Sequence, residues 1–110
     1  MKVQKLIDTY DFELLTNTNT DVEIKGIYSC DLLSWVMANG EEGNAWITVQ
    51  THQNILAVAS LIEFSCIILP IGVTIDQSVI DKATEEDINI LKSNLKPYDI
   101  YELFIKEGIK

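Results

Sequence analysis

The chain has 110 residues, of which 47% are hydrophobic and 23% charged, and 17 acidic against 8 basic residues give a formal net charge of −9. This length is typical of one domain with one hydrophobic core, so we assign residues 1–110 to a single domain. The acidic balance argues against nucleic acid as a partner, because no basic stripe is present to neutralise phosphates, and it disfavours binding to anionic membranes.

No targeting or membrane segment is predicted. The N-terminal Met-Lys-Val-Gln-Lys-Leu-Ile-Asp lacks the apolar run of a signal peptide. Residues 56–73 approach the length of a membrane span, but Pro70 and Gly72 interrupt them. A buried helix followed by a buried strand is the better interpretation of this run.

Two cysteines, Cys30 and Cys66, are too few for the disulfide framework of a small secreted fold. Together with the one histidine, His52, they are also too few for an evident metal site. The sequence therefore predicts free thiols in a reducing, cytoplasmic environment, with no metal and no other cofactor.

The first part of the chain predicts two helices and two strands. An amphipathic helix over 2–9 and a brief strand over 12–15 come first. The polar segment 16–21 follows, and we expect it to be mobile because it has no apolar residue to anchor it. Alternating residues predict a strand over 22–28, and a helical apolar face runs from Leu32 to Met37.

Helix ends are predicted from capping residues. Ser29 and Asp31 precede one helix, and Asn54 precedes the next, and all three are side chains that favour the N-cap. The pair Asn39-Gly40 is predicted to end the first of these helices, because both residues tolerate a positive φ.

From residue 45 onward, apolar strands and helices alternate strictly. The predicted elements are a strand over 45–49, a bend over 50–53, a helix over 55–64, a strand over 66–69, a loop over 70–74, a helix over 75–83, a strand over 88–91 and a helix from Pro97 to Ile105, ended by Gly108. Such alternation with short loops predicts right-handed crossovers, and hence an α/β fold with a mainly parallel sheet.

The predicted helix 55–64 is apolar on almost every side, so we expect it to be buried on more than one side. Either it packs beneath its own neighbouring helices, or it forms an interface with a second subunit. The aromatic residues are interpreted as packing residues of the core: Trp35, Trp46, Tyr98 and Tyr101.

Candidate ligand-binding residues follow the predicted strands, since parallel α/β sheets bind ligands beyond the carboxyl ends of their strands. They are Ser29, Asp31, Thr48, Gln50, Thr51, His52, Asn54 and Gly72. The bend at 50–54 lies at a helix N-terminus, where backbone N–H groups favour a phosphate or carboxylate. The alternative is that Thr51 and Asn54 cap the helix and His52 lies on the surface.

A catalytic site is not predicted. Cys30, His52 and Asp31 supply the residue types of a nucleophile, a base and an orienting acid, but the sequence carries no nucleophile elbow, P-loop or dinucleotide glycine motif. We therefore interpret the chain as a non-enzyme and keep a small enzyme built on these three residues as an alternative.

Two blocks of sequence resemble the DRTGG domain family. They are Ser-Cys-Asp-Leu-Leu-Ser-Trp-Val-Met at 29–37 and Trp-Ile-Thr-Val-Gln-Thr-His-Gln-Asn-Ile-Leu-Ala-Val-Ala at 46–59, and the chain looks most like small stand-alone bacterial members. That family is similar to the N-terminal domain of HPr kinase/phosphorylase and to regulatory segments of phosphotransacetylases and CBS-domain pyrophosphatases. The resemblance implies a three-layer α/β/α sandwich that is often dimeric.

The residues that name the family are mostly replaced here. Asp-Arg falls at Thr51-His52 and Thr-Gly-Gly at Pro70-Ile71-Gly72, so that only Gly72 is kept. A ligand held by the missing residues must therefore be bound differently by this chain or not at all.

The resemblance implies a regulatory or sensor module. Such a module would be a homodimer that binds a small anionic metabolite or nucleotide at the strand ends, or that docks onto an enzyme partner. Stand-alone members of this kind look like accessory proteins of anaerobic redox enzymes. The alternative is a protein-interaction adaptor for a metabolic or redox enzyme, without a ligand.

Overall fold

In the computed structural model, which describes residues 1–110, five helices and five short strands follow one another along the chain. The helices are α1 (Val3–Tyr10), α2 (Leu33–Asn39), α3 (Asn54–Ile62), α4 (Gln77–Glu85) and α5 (Pro97–Lys106). The strands are β1 (Glu13–Leu14), β2 (Gly26–Ser29), β3 (Asn44–Ile47), β4 (Cys66–Leu69) and β5 (Ile90–Lys92).

The strands form one sheet in the order β1-β5-β4-β3-β2. Strands β2 to β5 are parallel, and the two-residue β1 pairs antiparallel with β5. Trp46 in the centre of the sheet pairs with Tyr28 on one side and with Ile67 on the other. The predicted α/β fold with a mainly parallel sheet is confirmed.

Helices cover both faces of the sheet and form a three-layer α/β/α sandwich. One core contains Leu6 of α1 and Phe104 of α5 packed on Ile68, and the other contains Val36 of α2 and Val79 of α4 packed on the opposite face of the sheet. The parallel strands follow one another in chain order, so all three crossover helices lie on the same face.

Strand β4 confirms the prediction of a strand buried on both faces. All four of its residues are buried. Cys66 and Ile68 belong to the core of α1 and α5, while Ile67 and Leu69 belong to the core of α2, α3 and α4. An unbroken apolar run is required there because successive side chains point to opposite, equally buried faces.

The predicted strand over 22–28 joins the sheet only in its second half. Before β2, the chain pairs with the N-terminus instead: the N–H of Val3 donates to the carbonyl of Val22 at 2.9 Å, and the N–H of Ile24 donates to the carbonyl of Met1 at 2.8 Å. The first half of the alternating segment 22–28 therefore pairs with residues 1–3 instead of joining the sheet, and this pairing attaches the start of α1 to the rest of the molecule.

The predicted N-caps are wrong. Ser29 is the last residue of β2, and α2 is preceded by Leu32 with no side-chain cap. The side chain of Asp31 binds the chain after β3 instead. Asn54 is the first residue of α3 and follows Gln53, whose side chain makes no capping bond.

Gly40 follows α2 for a reason other than the predicted one. Its φ is −69°, a conformation open to any residue. A Cβ at this position would lie 2.6 Å from the ring of Phe64 and 2.9 Å from the carbonyl oxygen of Val36. The missing side chain therefore allows close packing against Phe64, and no backbone conformation special to glycine is involved.

The polar segment 16–21 has a defined anchor, so the expectation of an unanchored loop is wrong. Thr16 is buried, and the Asn89 amide donates to the carbonyls of Asn19 at 3.0 Å and Ser65 at 3.2 Å. The Asn89 side-chain oxygen accepts a hydrogen bond from the Thr18 hydroxyl. Hydrogen bonds to a buried amide replace the apolar contact that the sequence lacks.

Helix α3 is buried on its sheet side but not on its outer side. Ile55 and Leu56 are buried, whereas Ala57 and Ser60 are exposed and Leu61 is 66% exposed. The expected burial on more than one side is therefore incomplete within the single chain.

The aromatic residues divide between core and surface. Trp46 is fully buried, as predicted, and Tyr101 is partly buried. Trp35 and Tyr98 are 58% and 74% exposed, so their prediction as core residues is wrong. A sequence pattern can place an aromatic residue on a helix, but it does not determine whether the side chain faces the core or the solvent.

No helix combines the length and the apolar character needed to cross a membrane.

Candidate functional site at the carboxyl ends of the strands

A small cavity of about 80 Å³ lies where the parallel strands end and α5 begins. It is lined by Ser29, Asp31, Ile47, Thr48, Val49, Pro70, Pro97 and Tyr101. Three of the predicted site residues, Ser29, Asp31 and Thr48, therefore meet at this edge. The chain after β2, β3 and β4 and the start of α5 together build the cavity.

Asp31 is the centre of the hydrogen bonds at this edge. Its Oδ1 accepts from the Thr48 hydroxyl at 2.7 Å and from the Val49 N–H at 2.9 Å. Gln50 completes the arrangement, since its side-chain amide donates to the Asp31 carbonyl at 2.8 Å and its N–H donates to Thr48 Oγ1 at 3.1 Å. The second carboxylate oxygen, Oδ2, makes no hydrogen bond within the chain.

Tyr101 is a site residue that the sequence analysis missed. Its phenol shares a hydrogen bond with the Ser29 hydroxyl, across 72 positions of sequence. Pro97, at the first position of α5, lines the same cavity. The only available sequence signal was that α5 begins just beyond the predicted end of β5, which places its first turns at the ligand-binding edge of a parallel sheet.

The bend before α3 lies outside this cavity. Nδ1 of His52 accepts a hydrogen bond from the Asn54 N–H at 3.1 Å. The N–H groups of Ile55 and Leu56 donate to the carbonyls of His52 and Gln53, each at 3.1 Å. Three N–H groups at this helix N-terminus thus already have acceptors within the chain.

The predicted residues therefore occupy separate places. Asn54 lines an open groove of about 430 Å³ between α3 and α4, together with Lys82 and Glu86. Neither Thr51 nor His52 lines this groove or the strand-end cavity.

Gly72 lies in the loop after β4 and does not line the cavity, although Pro70 of the same loop does. Gly72 is exposed, its φ is +81°, and no atom lies within 4 Å of the position of a Cβ. The one residue of the family name that this sequence keeps thus serves the backbone conformation of an exposed turn.

The three residues of the alternative catalytic site make no hydrogen bonds with one another. Asp31 binds Thr48 and Val49, His52 binds the Asn54 N–H, and Cys30 Sγ lies 3.9 Å from the Leu32 carbonyl. A nucleophilic triad requires the base to bond both the nucleophile and the acid. No group of three or more His, Cys, Asp or Glu side chains is placed to hold a metal ion.

The chemistry of the strand-end cavity is that of polar recognition. Hydroxyls of Ser29, Thr48 and Tyr101 line the cavity together with the Asp31 carboxylate, so the site offers both hydrogen-bond donors and acceptors. Its volume of about 80 Å³ suits one polar group, whereas pockets for whole small molecules measure roughly 300–1,000 Å³. A larger ligand would therefore insert one group and lie across the outer surface.

Comparison with known proteins found a likeness in fold but none in sequence family. No protein-family model matches the sequence, and no characterised protein matches it. The fold is similar to a crystal structure of the CBS and DRTGG domains of the regulatory region of a Clostridium perfringens pyrophosphatase, complexed with its activator diadenosine tetraphosphate. The TM-score is 0.74 at 16% sequence identity, over 94% of this chain and 45% of that chain. This likeness supports a DRTGG-like α/β fold.

Proposed function

We propose that this chain is a non-catalytic regulatory module that binds a nucleotide, or another small anionic metabolite, at the carboxyl ends of its strands. The observation that carries the proposal is the cluster of Ser29, Asp31, Thr48 and Tyr101 around one cavity. These side chains come from three separate segments and converge on the edge at which parallel α/β sheets bind ligands.

The likeness in fold supports a regulatory role. The similar pyrophosphatase region is regulatory and was crystallised with a dinucleotide activator. This chain spans 45% of that structure, and its sequence contains no P-loop. We propose that the module has no catalytic activity of its own and that it transmits ligand binding to an enzyme.

The charge of the site determines how such a ligand would lie. Oδ2 of Asp31 is available only as an acceptor, and the chain carries a net charge of −9. A phosphate beside this carboxylate would be repelled. We therefore propose that a ribose hydroxyl or an amino group enters the cavity, and that the anionic part of the ligand points away from Asp31.

The proposed module consists of residues 1–110 as one domain, acts as a homodimer and works in the cytoplasm. Both cysteines are free thiols, which agrees with a reducing compartment.

The test is a thermal-shift measurement with diadenosine tetraphosphate, ATP, AMP and inorganic phosphate as separate probes. A ligand present at about 100 times its Kd stabilises the folded state by about 2.7 kcal/mol, which raises the Tm of a domain of this size by several degrees. We expect a nucleotide probe to give this shift and inorganic phosphate to give little, because phosphate lacks the group that enters the cavity.

A matched pair of tyrosine variants locates the site. Tyr101→Phe removes the hydroxyl that bonds Ser29, and we expect it to reduce the nucleotide shift. Tyr98→Phe removes a hydroxyl from an exposed tyrosine on the same helix and should leave the shift unchanged. The absence of any shift with all four probes would contradict the proposal, as would a shift that Thr51→Ala and His52→Ala abolish while Tyr101→Phe does not.

A further inference from the structure

Four grooves larger than the strand-end cavity lie on the surface, and one of them shares a residue with it. That groove, here named the α5 groove, has a volume of about 390 Å³ and is lined by Tyr98, Tyr101, Glu102, Ile105 and Lys106. Tyr101 also lines the strand-end cavity. The other three grooves have no residue in common with this cavity. The α5 groove is therefore the part of the surface that continues the site.

Helical spacing explains why one helix lines both the cavity and the groove. Residues three and four apart lie on the same side of a helix. Pro97 and Tyr101 are four apart and line the cavity, whereas Tyr98 and Ile105, three and four positions from Tyr101, line the groove. The hydrogen bond between the Tyr101 hydroxyl and Ser29 holds the shared ring in place. A ring that is already held loses little freedom when a ligand packs on it.

The α5 groove combines apolar side chains with one charged pair. Tyr98 is 74% exposed and Ile105 is 60% exposed, so both have area for a ligand to cover. Glu102 and Lys106 form an ion pair at 3.2 Å that is open to water. Such a pair offers an acceptor and donors without presenting a net charge. Aromatic contact beside hydrogen-bonding groups suits a purine base, which has two flat faces and a polar edge.

The adjacency of the cavity and the groove matches the structure of a nucleoside. The cavity admits one polar group, and the ribose whose hydroxyl is proposed to enter it is bonded directly to the base. That base has to lie against the next surface, which is the groove beyond Tyr101. A protein partner fits less well, because stable protein interfaces bury about 800 Å² on each side, whereas three apolar side chains line this groove.

We propose that the α5 groove is the base-binding subsite for a purine nucleotide. Tyr98 is the residue on which the base stacks, and Tyr101 is the wall that this subsite shares with the strand-end cavity. The inference rests on the proposed function and narrows its ligand from small anionic metabolites to purine nucleotides. It also gives a role to Tyr98, which is too exposed to be a residue of the core.

The test is isothermal titration calorimetry of the intact chain with AMP, GMP and ribose 5-phosphate as separate probes. Ribose 5-phosphate carries the sugar and the phosphate of a nucleotide but no base. We expect at least one of the two nucleotides to bind roughly ten-fold more tightly than ribose 5-phosphate, because stacking of a base on an aromatic side chain contributes an increment of this size.

Three variants locate the base. Tyr98→Ala removes the ring and should raise the Kd of the purine nucleotide roughly ten-fold, while the Kd of ribose 5-phosphate stays unchanged. Tyr98→Phe keeps the ring and should change neither Kd. Trp35→Ala is the matched control, because it removes an exposed aromatic ring from α2, which packs on the opposite face of the sheet, and it should also change neither Kd. Both side chains are exposed, so the fold tolerates each change.

Four results would overturn this subsite while the ligand-binding function stands. They are binding of ribose 5-phosphate as tight as that of the nucleotides, wild-type affinity for the nucleotide in Tyr98→Ala, an equal loss of affinity for the nucleotide and for ribose 5-phosphate in that variant, and an equal loss of nucleotide affinity in Trp35→Ala. If none of the three probes binds the wild type, the proposed function fails together with the subsite.

Discussion

Cys30 and Cys66 are both free thiols, but the structure gives them different chemistry. Cys66 lies in the centre of β4, where complete burial raises the pKa of its thiol to about 12, although the hydroxyl of Ser65 acts in the opposite direction. Cys30 lies beyond the end of β2 and is partly exposed. The thiolate is the reactive form of cysteine. Burial therefore protects Cys66 in two ways: it keeps reagents away from the sulfur, and it keeps the thiol protonated.

We predict that iodoacetamide at about pH 8 alkylates Cys30 and spares Cys66 in the folded protein. Mass spectrometry of tryptic peptides would measure both sites, and a sample unfolded in guanidinium chloride serves as the control in which both react. Rapid modification of Cys66 without denaturant would show that β4 is not buried as described.

Asp31 illustrates how the role of one residue depends on its neighbours in the fold. The sequence predicts a cap and a site residue at this position. In the structure the Asp31 carboxylate accepts hydrogen bonds from Thr48 and Val49, which follow β3, and it caps no helix. An aspartate before a helix is a reliable cap only when no stronger donor lies closer in space, and local sequence does not contain that information.

At the scale of elements, one buried amide helps to anchor the segment after β1. Asn89 is 3% exposed and joins Thr18, Asn19 and Ser65, which belong to segments far apart in sequence. Every buried side-chain polar atom in the molecule has a partner, so this junction is fully satisfied. Loss of the Asn89 amide would remove a donor from the carbonyl of the buried Ser65, and leaving a buried group unsatisfied costs more than the bond itself contributes.

We predict that Asn89→Ala lowers the free energy of unfolding by about 2–3 kcal/mol, because the Ser65 carbonyl loses the Asn89 donor and the Thr18 hydroxyl keeps only its hydrogen bond with Thr16. Asn89→Asp should cost at least as much, since a carboxylate offers no donor to the carbonyls of Asn19 and Ser65. Urea denaturation measures both. Asn17→Ala is the control, because Asn17 makes its hydrogen bond through its backbone N–H, which donates to Thr84 Oγ1 and not to Asn89. An equal loss of stability in that variant would refute the assignment.

At the scale of the whole molecule, the first and last helices are joined by a polar contact. Glu107, just after α5, accepts a hydrogen bond from the Tyr10 hydroxyl and pairs with Lys5 Nζ at 2.9 Å. The Tyr10 hydrogen bond, followed by that of Lys5, lowers the pKa of Glu107 from its ordinary value of 4.5. The same contacts raise the pKa values of Tyr10 and Lys5.

This contact gives the stability of the protein a predictable dependence on pH. A carboxylate with a lowered pKa in the folded state stabilises the protein above its unfolded pKa, and this contribution is lost as the pH falls through the folded value. Glu107→Gln should therefore lower the Tm at about pH 7, and the difference from the wild type should shrink as the pH falls below about 4.

Thermal unfolding of both proteins between about pH 3 and about pH 7 provides the measurement. Tyr10→Phe removes only the phenol that bonds Glu107 and should reproduce part of the effect. A Tm difference that does not change with pH would show that Glu107 acts through packing rather than through its charge.

Most of the architecture followed from the sequence. The apolar run 66–69, flanked by helical patterns and short loops, determined a parallel strand in the centre of an α/β sheet. Candidate residues at the carboxyl ends of the strands followed from the same alternation, and Ser29, Asp31 and Thr48 do meet at one cavity. Periodicity and turn residues act over a few positions, so elements governed by local preference and burial can be recognised from sequence.

The tertiary structure alone decided which distant groups meet. It joined Ser29 to Tyr101 across 72 positions, Thr18 to Asn89 across 71 and Lys5 to Glu107 across 102. It also turned Trp35 outward and left one side of α3 uncovered. Such contacts depend on the register of the sheet and on the rotation of each helix about its axis, which are set by the packing of the whole core. The sequence determined the layers of this protein, and packing between the layers decided which residues meet at the strand-end cavity and which apolar side chains stay exposed.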